Sequence, residues 1–478
     1  MTSTQENTEN SEASVSSGNG GPKRKRKGIS MTEGPLLGGL IRFSLPIFAT
    51  STLQILFNVA DLAVVGKFAG NSDVAAVGAT GALIGLLVNF FVGISVGANV
   101  VTARMIGAKN SDGVHRSVHT SMLISVIFGV IVGITGFFCA EPVLEIMNTP
   151  VTVLPLATLY MKIYLIGSPV NMIMNFGSAV MRAAGDSRRP LIFMTISGCL
   201  NVVLNLISVI IFGMGVAGVA IATVSSQALS AFLIVFSLIR EKSDIHLSLR
   251  RLRIYKDELA SIVKIGLPQG LQSSLFSLSN VVIQSSYNSF GETVVAGMSI
   301  GQNLEGFVYC GMGSVVQAVL TFTGQNYGAG KFRRMRRVLF ISIAYVTVLG
   351  MILGYTEILL SRFLTGFYTN DTDVMRYACE RIFAINIVYF ILGVQDVISG
   401  FLRGIGKSVF PMVTCIVGII GFRFAWVYLV FPYLHTPNWL NISYPLSWVI
   451  CMTILVPGCI VYMKKIPKED SEPQAHVS

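Results

Sequence analysis

The chain has 478 residues and a formal net charge of +11, with 52% hydrophobic but only 12% charged residues and a mean hydropathy of +0.67. Soluble domains carry roughly 25% charged residues, so a water-soluble protein of this length would lack the charge to cover its surface. The apolar residues fall in continuous blocks of the length that crosses a bilayer, about 20 residues each. Lipid tolerates only helices and closed barrels, because every backbone polar group must be paired internally. Continuous rather than alternating blocks predict helices. The fold class expected is an all-α polytopic membrane protein of about twelve transmembrane helices in two pseudo-symmetric six-helix lobes.

In chain order, residues 1–30 read as a disordered basic cytoplasmic tail. Ser, Thr, Asn, Glu and Gly dominate up to Gly21, and Lys23-Arg24-Lys25-Arg26-Lys27 follows. Beside an apolar helix, that run reads as an anchor on anionic lipid rather than a nucleic-acid patch. No cleavable signal is evident, since the first apolar block begins only near Leu36. An N-lobe of helices 1–6 spans residues 31–239, with apolar segments near 38–60, 75–101, 118–139, 156–180, 190–212 and 216–239. A basic cytoplasmic linker covers 240–258. The C-lobe of helices 7–12 spans 259–463, with segments near 259–285, 294–322, 338–360, 377–401, 410–431 and 443–463, and 464–478 forms a second cytoplasmic tail.

Lys and Arg crowd one side of this pattern: the tail run, Arg104, Lys109, Arg116, Arg182, Arg188, Arg189, Arg240 to Lys264, Lys331 to Arg337, Arg403, Lys407 and Lys464 to Lys468. Opposite lie mainly Lys67, Lys162, Arg362, Arg376 and Arg381. The positive-inside rule makes the first side cytoplasmic, with both termini there. The net charge is thus chiefly a topology signal. The seven cysteines lie scattered in apolar segments and read as small core residues. His115 and His119, four apart, read as a solvated helix face rather than a metal pair.

Self-comparison reveals a repeat. Met181-Arg-Ala-Ala-Gly-Asp-Ser-Arg-Arg-Pro190 matches Leu402-Arg-Gly-Ile-Gly-Lys-Ser-Val-Phe-Pro411, and Gly107-Ala108 matches Gly328-Ala329 at the same offset. One residue of slippage aligns Leu45-Pro46 with Leu267-Pro268 and Asn58 with Asn280. Six helices per half make the halves parallel, an arrangement suited to alternating access at a site between them. Pro46, Pro169 and Pro268 mark expected kinks.

Polar residues inside a bilayer face a cavity and usually work there. Gln54, Asn58 and Asp61 stand at i, i+4, i+7 on the first helix and so share a face. Asn171 and Asn175 repeat the spacing on the fourth helix, Asn201 and Asn205 on the fifth, and Thr223 lies on the sixth. Their oxygens suit a proton or a hard monovalent cation, although Asn and Thr in membranes also bond helix to helix. The C-terminal half offers Gln272, Asn280 and Gln284 on the seventh helix, Glu305 on the eighth and Asp396 on the tenth as substrate contacts. Arg423 on the eleventh could pair with either acid instead. No P-loop, nucleophile elbow or zinc-type cluster is present, so the chain reads as a transporter without cofactor, driven by an ion gradient rather than as an enzyme.

These residues resemble the multidrug and toxic compound extrusion (MATE) family, nearer its DinF-like than its NorM branch. The resemblance covers about residues 31–465. It rests on Met31-Thr-Glu-Gly-Pro35, Leu45-Pro46, Asp61 with Val64-Val65-Gly66, Ala103-Arg-Met-Ile-Gly-Ala108, Met181-Arg-Ala-Ala-Gly-Asp186, Gly324-Gln-Asn-Tyr-Gly-Ala329 and Gly400-Phe-Leu-Arg-Gly-Ile-Gly406. It implies an antiporter in the cell membrane, coupled to H+ or Na+, that exports small amphipathic organic cations. It also implies an ion-coupling site at Asp61, Asn201, Asn205 and Thr223. The second fifth-helix position, commonly Asp in the family, is Asn205, which leaves Asp61 the one carboxylate there. The tenth-helix acid of the NorM branch falls at Leu392. The rival reading is a flippase for a lipid-linked, phosphate-bearing substrate. It calls for several arginines in the cavity, whereas Arg423 stands nearly alone among the expected spans. Membrane lipid and a small organic cation are the partners expected, with no nucleic acid, and the protein is read as a monomer.

Overall fold

The computed structural model describes residues 28–68, 70–147 and 149–472, so the expectations for 1–27 and 473–478 lie outside the described residues. The helices are α1 (Leu36–Phe68), α2 (Asn71–Gly107), α3 (Ser111–Ile146), α4 (Leu154–Ile166 and Ser168–Ala183), α5 (Arg188–Leu206, continued by a π-helix Ile207–Ile211) and α6 (Gly215–Ile239). The second half repeats the series: α7 (Lys256–Tyr287), α8 (Glu292–Gly328), α9 (Phe332–Leu359), α10 (Thr372–Asn386 and Phe390–Gly404), α11 (Val409–Val430) and α12 (Pro437–Lys465). Among the described residues, nine helices are long and apolar enough to cross a bilayer, and the bent pairs of α4 and α10 raise the count to eleven. The twelfth, α7, has the length but turns Gln269, Gln272, Ser273, Ser277 and Asn280 to a cavity, which dilutes its apolar character.

Two breaks differ in how far the sequence announced them. The pieces of α4 meet at 47°, at Gly167, where a β-carbon would come within 2.6 Å of Val224; Pro169 opens the second piece, where its missing N–H costs nothing. The 48° bend of α10 at residues 387–389 has no proline. α1 and α7 continue as α-helix through Pro46 and Pro268.

The repeat is physical as well as textual. Gly185 and Gly406 both adopt positive φ (85° and 75°) after their helices, and each turn closes with the same pair of bonds. In the first, Gly185 N donates to Arg182 O and Asp186 N to Met181 O; in the second, Gly406 N donates to Arg403 O and Lys407 N to Leu402 O. This is the Schellman closure, for which glycine carries no steric penalty. At the ends of α2 and α8, Lys109 and Gly330 also share positive φ (56° and 68°).

The lobes meet most tightly at the end of the bundle rich in Lys and Arg, here called the basic end. A β-carbon on Gly107 would lie 1.9 Å from Gln325 O, and one on Gly328 would lie 2.0 Å from Arg104 O. Because 104 and 325, like 107 and 328, are repeat mates, this reciprocal contact lies on the pseudo-twofold axis. Around it, Arg104 donates through Nε and Nη2 to Gly404 O (3.1 and 3.0 Å) and stacks 4.9 Å from the Tyr327 ring. Gln325 Nε2 reaches Ala183 O at 2.7 Å, and Thr321 Oγ1 reaches Asn99 Oδ1 at 3.1 Å. Farther along, Gly93 and Gly97 of α2 pack directly on Gly270 and Gly266 of α7, the close backbone approach that small residues permit in membranes. Beyond Asn89–Ser277 and Leu86–Ser274, no hydrogen bond joins the lobes toward the other end among the described residues. Gly107→Ala is therefore expected to prise open the basic end. In that background Thr321→Cys, at a position fully buried in this interface, should become reactive to an impermeant maleimide from that side; unchanged labelling would show that the Gly107 contact does not hold the basic end shut.

Chain segments outside the helices tie this end together. Ile29 N donates to Gly185 O, Asn326 Nδ2 to Met31 O and Lys331 Nζ to Thr32 O, so residues 29–32 bind both lobes and the expected disorder does not extend through 28–30. The second tail is likewise held at its start, by Arg336 Nη2 on Ile466 O (2.9 Å) and Ser471 N on Gly330 O (3.0 Å). In the linker, Ser248 N donates to His119 Nε2 (3.0 Å) and Tyr255 N to Thr120 Oγ1 (3.1 Å). His119 is buried and clamps the linker to α3, correcting the expectation of a solvated face. Of the cysteines, Cys415, Cys451 and Cys459 are core residues, whereas Cys139 and Cys199 face outward.

Candidate functional site

A cavity of about 750 Å³ lies between the lobes, above the closed basic end. It is lined from α1, α2, α4, α5 and α6 on one side and from α7, α8, α10, α11 and α12 on the other. The two walls differ in charge. Among the described residues, the N-lobe wall carries a single charged side chain, Asp61. Gln54, Asn58, Asn171, Asn175, Asn201 and Thr223 join it in lining the space, as their helical spacing predicts.

Behind Asp61 stands a chain of amides. Asn205, fully buried, donates through Nδ2 to Asp61 Oδ1 and to Asn201 Oδ1 (3.3 Å), and Asn201 Nδ2 lies 3.5 Å from Thr223 Oγ1. Thr223 spends its own proton on Val219 O at 2.9 Å, so its oxygen faces Asn201 as an acceptor. Asn205 Oδ1 is buried with no donor among the described residues. The relay thus joins Asp61 to Thr223 through two amides and leaves the carboxylate as the acceptor that faces the cavity, a group that takes a proton or a monovalent cation. Two residues beyond Asn205 the helix loosens into the π-helix Ile207–Ile211, a distortion frequent beside functional sites. On α4, Asn175 Nδ2 bonds Asn171 Oδ1 at 2.9 Å and Asn171 Nδ2 lies 3.4 Å from Gln227, fixing that wall.

The C-lobe wall departs from expectation in three respects. Glu305 lines the cavity but is not free: Arg381 grips it with two parallel bonds, Nε to Oε1 at 2.9 Å and Nη2 to Oε2 at 3.0 Å. Arg381, counted among the charges of the outer side, is only 1% exposed. The signal was present in the sequence, since Val374, Ala378, Arg381, Ile382 and Ile385 form one helical stripe and all are buried. Second, Gln284 lies off the cavity, one turn past Asn280, whereas Gln272 and Asn280 line it. Third, Arg423 does not stand alone. Arg381 and Arg403 line the same space, and Arg423 sits behind Asn280, Phe276 and Tyr444. Arg403, counted above as a loop charge, bonds Gln272 Oε1 at 3.0 Å. Arg423 pairs with neither acid; it donates to Asn280 Oδ1 (3.1 Å) and Ser447 Oγ (3.2 Å). Asp396 lines the cavity with no basic group within 4.0 Å among the described residues. Leu392 lines it as well and is buried. Tyr309, Tyr389, Tyr444 and Trp448, which the reading of polar spacing passed over, supply aromatic surface.

The family model MatE matches residues 46–207 and again 268–429. The chain belongs to the MatE family. The two matches start 222 residues apart, the spacing at which Asn58 repeats as Asn280. A probable multidrug resistance protein of Bacillus subtilis, YpnP, is 27% identical over 380 residues, 80% of this chain and 85% of the relative. An FAD transporter of Shewanella oneidensis is 24% identical over 368 residues, 74% of this chain and 79% of the relative. A structure described as the outward-facing conformation of a multidrug resistance MATE family transporter of the MOP superfamily superposes with a TM-score of 0.84 at 22% identity. It covers 92% of this chain and 99% of that one. This MatE protein is thus an all-helical, multi-pass membrane transporter and not an enzyme.

Proposed function

We propose that this MatE protein is an H+- or Na+-coupled antiporter of the cell membrane that exports amphipathic organic cations by alternating access. The observation that carries the reading is the isolation of Asp61: among the described residues it is one carboxylate in an otherwise uncharged wall, backed by an amide chain with an unpaired oxygen. A carboxylate within a membrane-spanning helix is rarely left without a partner, and at half-buried Asp61 the arrangement leaves a mobile cation to supply it. Cation binding neutralises Asp61 and changes what α1 and α5 hold between them, which biases the two lobe arrangements. Such coupling requires that the ion bind the two arrangements with different affinity. The basic end is cytoplasmic by the positive-inside rule, so the cavity faces outward, the state that releases substrate and loads the coupling ion. Leu392, where the NorM branch has an acid, favours the DinF-like branch and leaves the coupling to the N-lobe.

The test is extrusion of ethidium from loaded cells lacking their own pumps, with added sodium and with the proton gradient collapsed. Extrusion that follows one gradient supports the reading and names the ion; none, despite full expression, counts against it.

A further inference from the structure

We propose that residues 28–33 are a latch on the basic end. Gly28 and Ile29 dock on the Gly185 turn of the N-lobe, Met31 to Glu33 stay fixed on the C-lobe, and the docked end must leave the turn before the basic end can open. The inference rests on the alternating-access reading and adds to it a part that holds one of the two arrangements.

The twofold repeat shows what the latch replaces. Arg104 and Gln325 are repeat mates, and each crosses to the end of a helix in the opposite lobe: Arg104 to Gly404 O, Gln325 to Ala183 O. Ala183 and Gly404 share the offset that pairs Gly185 with Gly406. Arg104 does more than make its bonds. Its guanidinium also covers the glycine of the turn, with Nη2 2.6 Å from where a β-carbon on Gly406 would lie. Gln325 is shorter, and its amide nitrogen is spent on Ala183 O at 2.7 Å. On that side the backbone of Ile29 takes the arm's place. A β-carbon on Gly185 would lie 2.5 Å from Ile29 O, and Ile29 N donates to Gly185 O at 3.0 Å. One turn is therefore covered by a side chain of α2, and its mate by a segment of chain that precedes α1. Such a segment can leave without disturbing a helix.

The two ends of the segment are held unequally. Met31 is fully buried in one cluster with Leu36, Leu40 and Phe43 of α1 and with Ala318 and Phe322 of α8. Met31 O accepts from Asn326 Nδ2 (3.1 Å) and Arg334 Nε (3.2 Å), Thr32 O from Lys331 Nζ (3.0 Å) and Glu33 O from Arg334 Nη2 (2.9 Å). Against these four bonds stands one: Ile29 to Gly185 is the single hydrogen bond from 28–33 to the N-lobe among the described residues. Gly28 completes the contact by lying against Ala184, where a β-carbon would come within 2.4 Å of Ala184 O. Ser30, between the two anchorages, is exposed. Each intramolecular hydrogen bond adds only modestly to stability, so the segment lets go where it has one and stays where it has four. As the lobes part, the latch travels with the C-lobe. While docked it favours the closed basic end and so weights the balance between the two arrangements.

The experiment follows maleimide labelling of Thr321→Cys, a position fully buried between the lobes at the basic end. It uses the purified full chain in nanodiscs, where both faces are open to the reagent, and subtracts the labelling of the same chain with Thr321 kept. Ile29→Pro deletes the donating N–H and leaves Met31 in place. It should speed labelling roughly three- to tenfold, the weight of one hydrogen bond in a two-state balance. Gly28→Ala, whose added methyl group meets Ala184 O, should do the same. Ser30→Ala, at the exposed position, should label at the native rate. A native rate in either Ile29→Pro or Gly28→Ala would overturn the latch. So would a rise that Ser30→Ala shares, which would report general loosening. The labelling needs neither substrate nor gradient, which separates the two readings. Faster labelling in both variants of a chain that extrudes no dye would leave the latch standing and the antiport reading refuted. Gradient-driven extrusion by the native chain, with native labelling in both variants, would do the reverse.

Discussion

Asp61→Asn is expected to abolish gradient-driven extrusion while leaving the protein folded and inserted. The substitution is isosteric, and an amide at 61 can still accept from Asn205 Nδ2, so the α1–α5 contact survives. What disappears is the only charge on the N-lobe wall among the described residues. A hydrogen bond or cation contact to a charged group is worth about 1.5–3 kcal/mol, so ion occupancy at a fixed gradient should fall by roughly ten- to a hundredfold, and extrusion with it. Purified Asp61→Asn should show a thermal midpoint close to the native one, because the loss is in coupling and not in packing. Extrusion at the native rate under an imposed gradient would sink the coupling assignment. Thermal collapse of the variant would show that the carboxylate is chiefly structural.

The second large effect concerns the pair mistaken for a substrate contact. Arg381→Met is expected to destabilise the protein by about 3–5 kcal/mol, the usual consequence of stranding one member of a buried ion pair. Glu305 would be left with a buried charge, and the bridge to α7 and α12 would go with it. That bridge runs from Arg381 Nη1 to Tyr287 Oη at 3.5 Å and from Tyr287 Oη to Asn441 Oδ1 at 2.6 Å. Replacing both residues, Arg381→Met with Glu305→Leu, removes the stranded charge and should recover most of the loss. The measurement is thermal unfolding of the three proteins in one detergent. If Arg381→Met alone were as stable as the native chain and bound cationic dyes more tightly, Glu305 would be a substrate carboxylate that Arg381 merely screens.

The sequence by itself determined the membrane class, the helical fold, the twofold repeat and the face of the N-lobe that looks inward. These are consequences of local rules. Lipid forces the backbone into helices, a period of 3.6 residues puts Gln54, Asn58 and Asp61 on one side, and a six-helix unit repeated in the same orientation pairs like with like. Asn58 with Asn280, and the turn at Gly185 with that at Gly406, were readable for that reason. The tertiary structure alone decided which charges meet. Glu305 lies 76 residues from Arg381 and Asp61 lies 144 from Asn205, and no spacing rule reaches across such separations. The same holds for the bend at 387–389, which no proline announces, and for Arg403, which the charge pattern placed in a loop. A guanidinium near a helix end reads as topology until its neighbours are known; packed against Gln272 in the cavity wall, it becomes part of what a substrate meets. Local periodicity fixes the direction a side chain takes from its own helix. Its partner, and with it the sign of the field in the cleft, depends on how twelve helices pack.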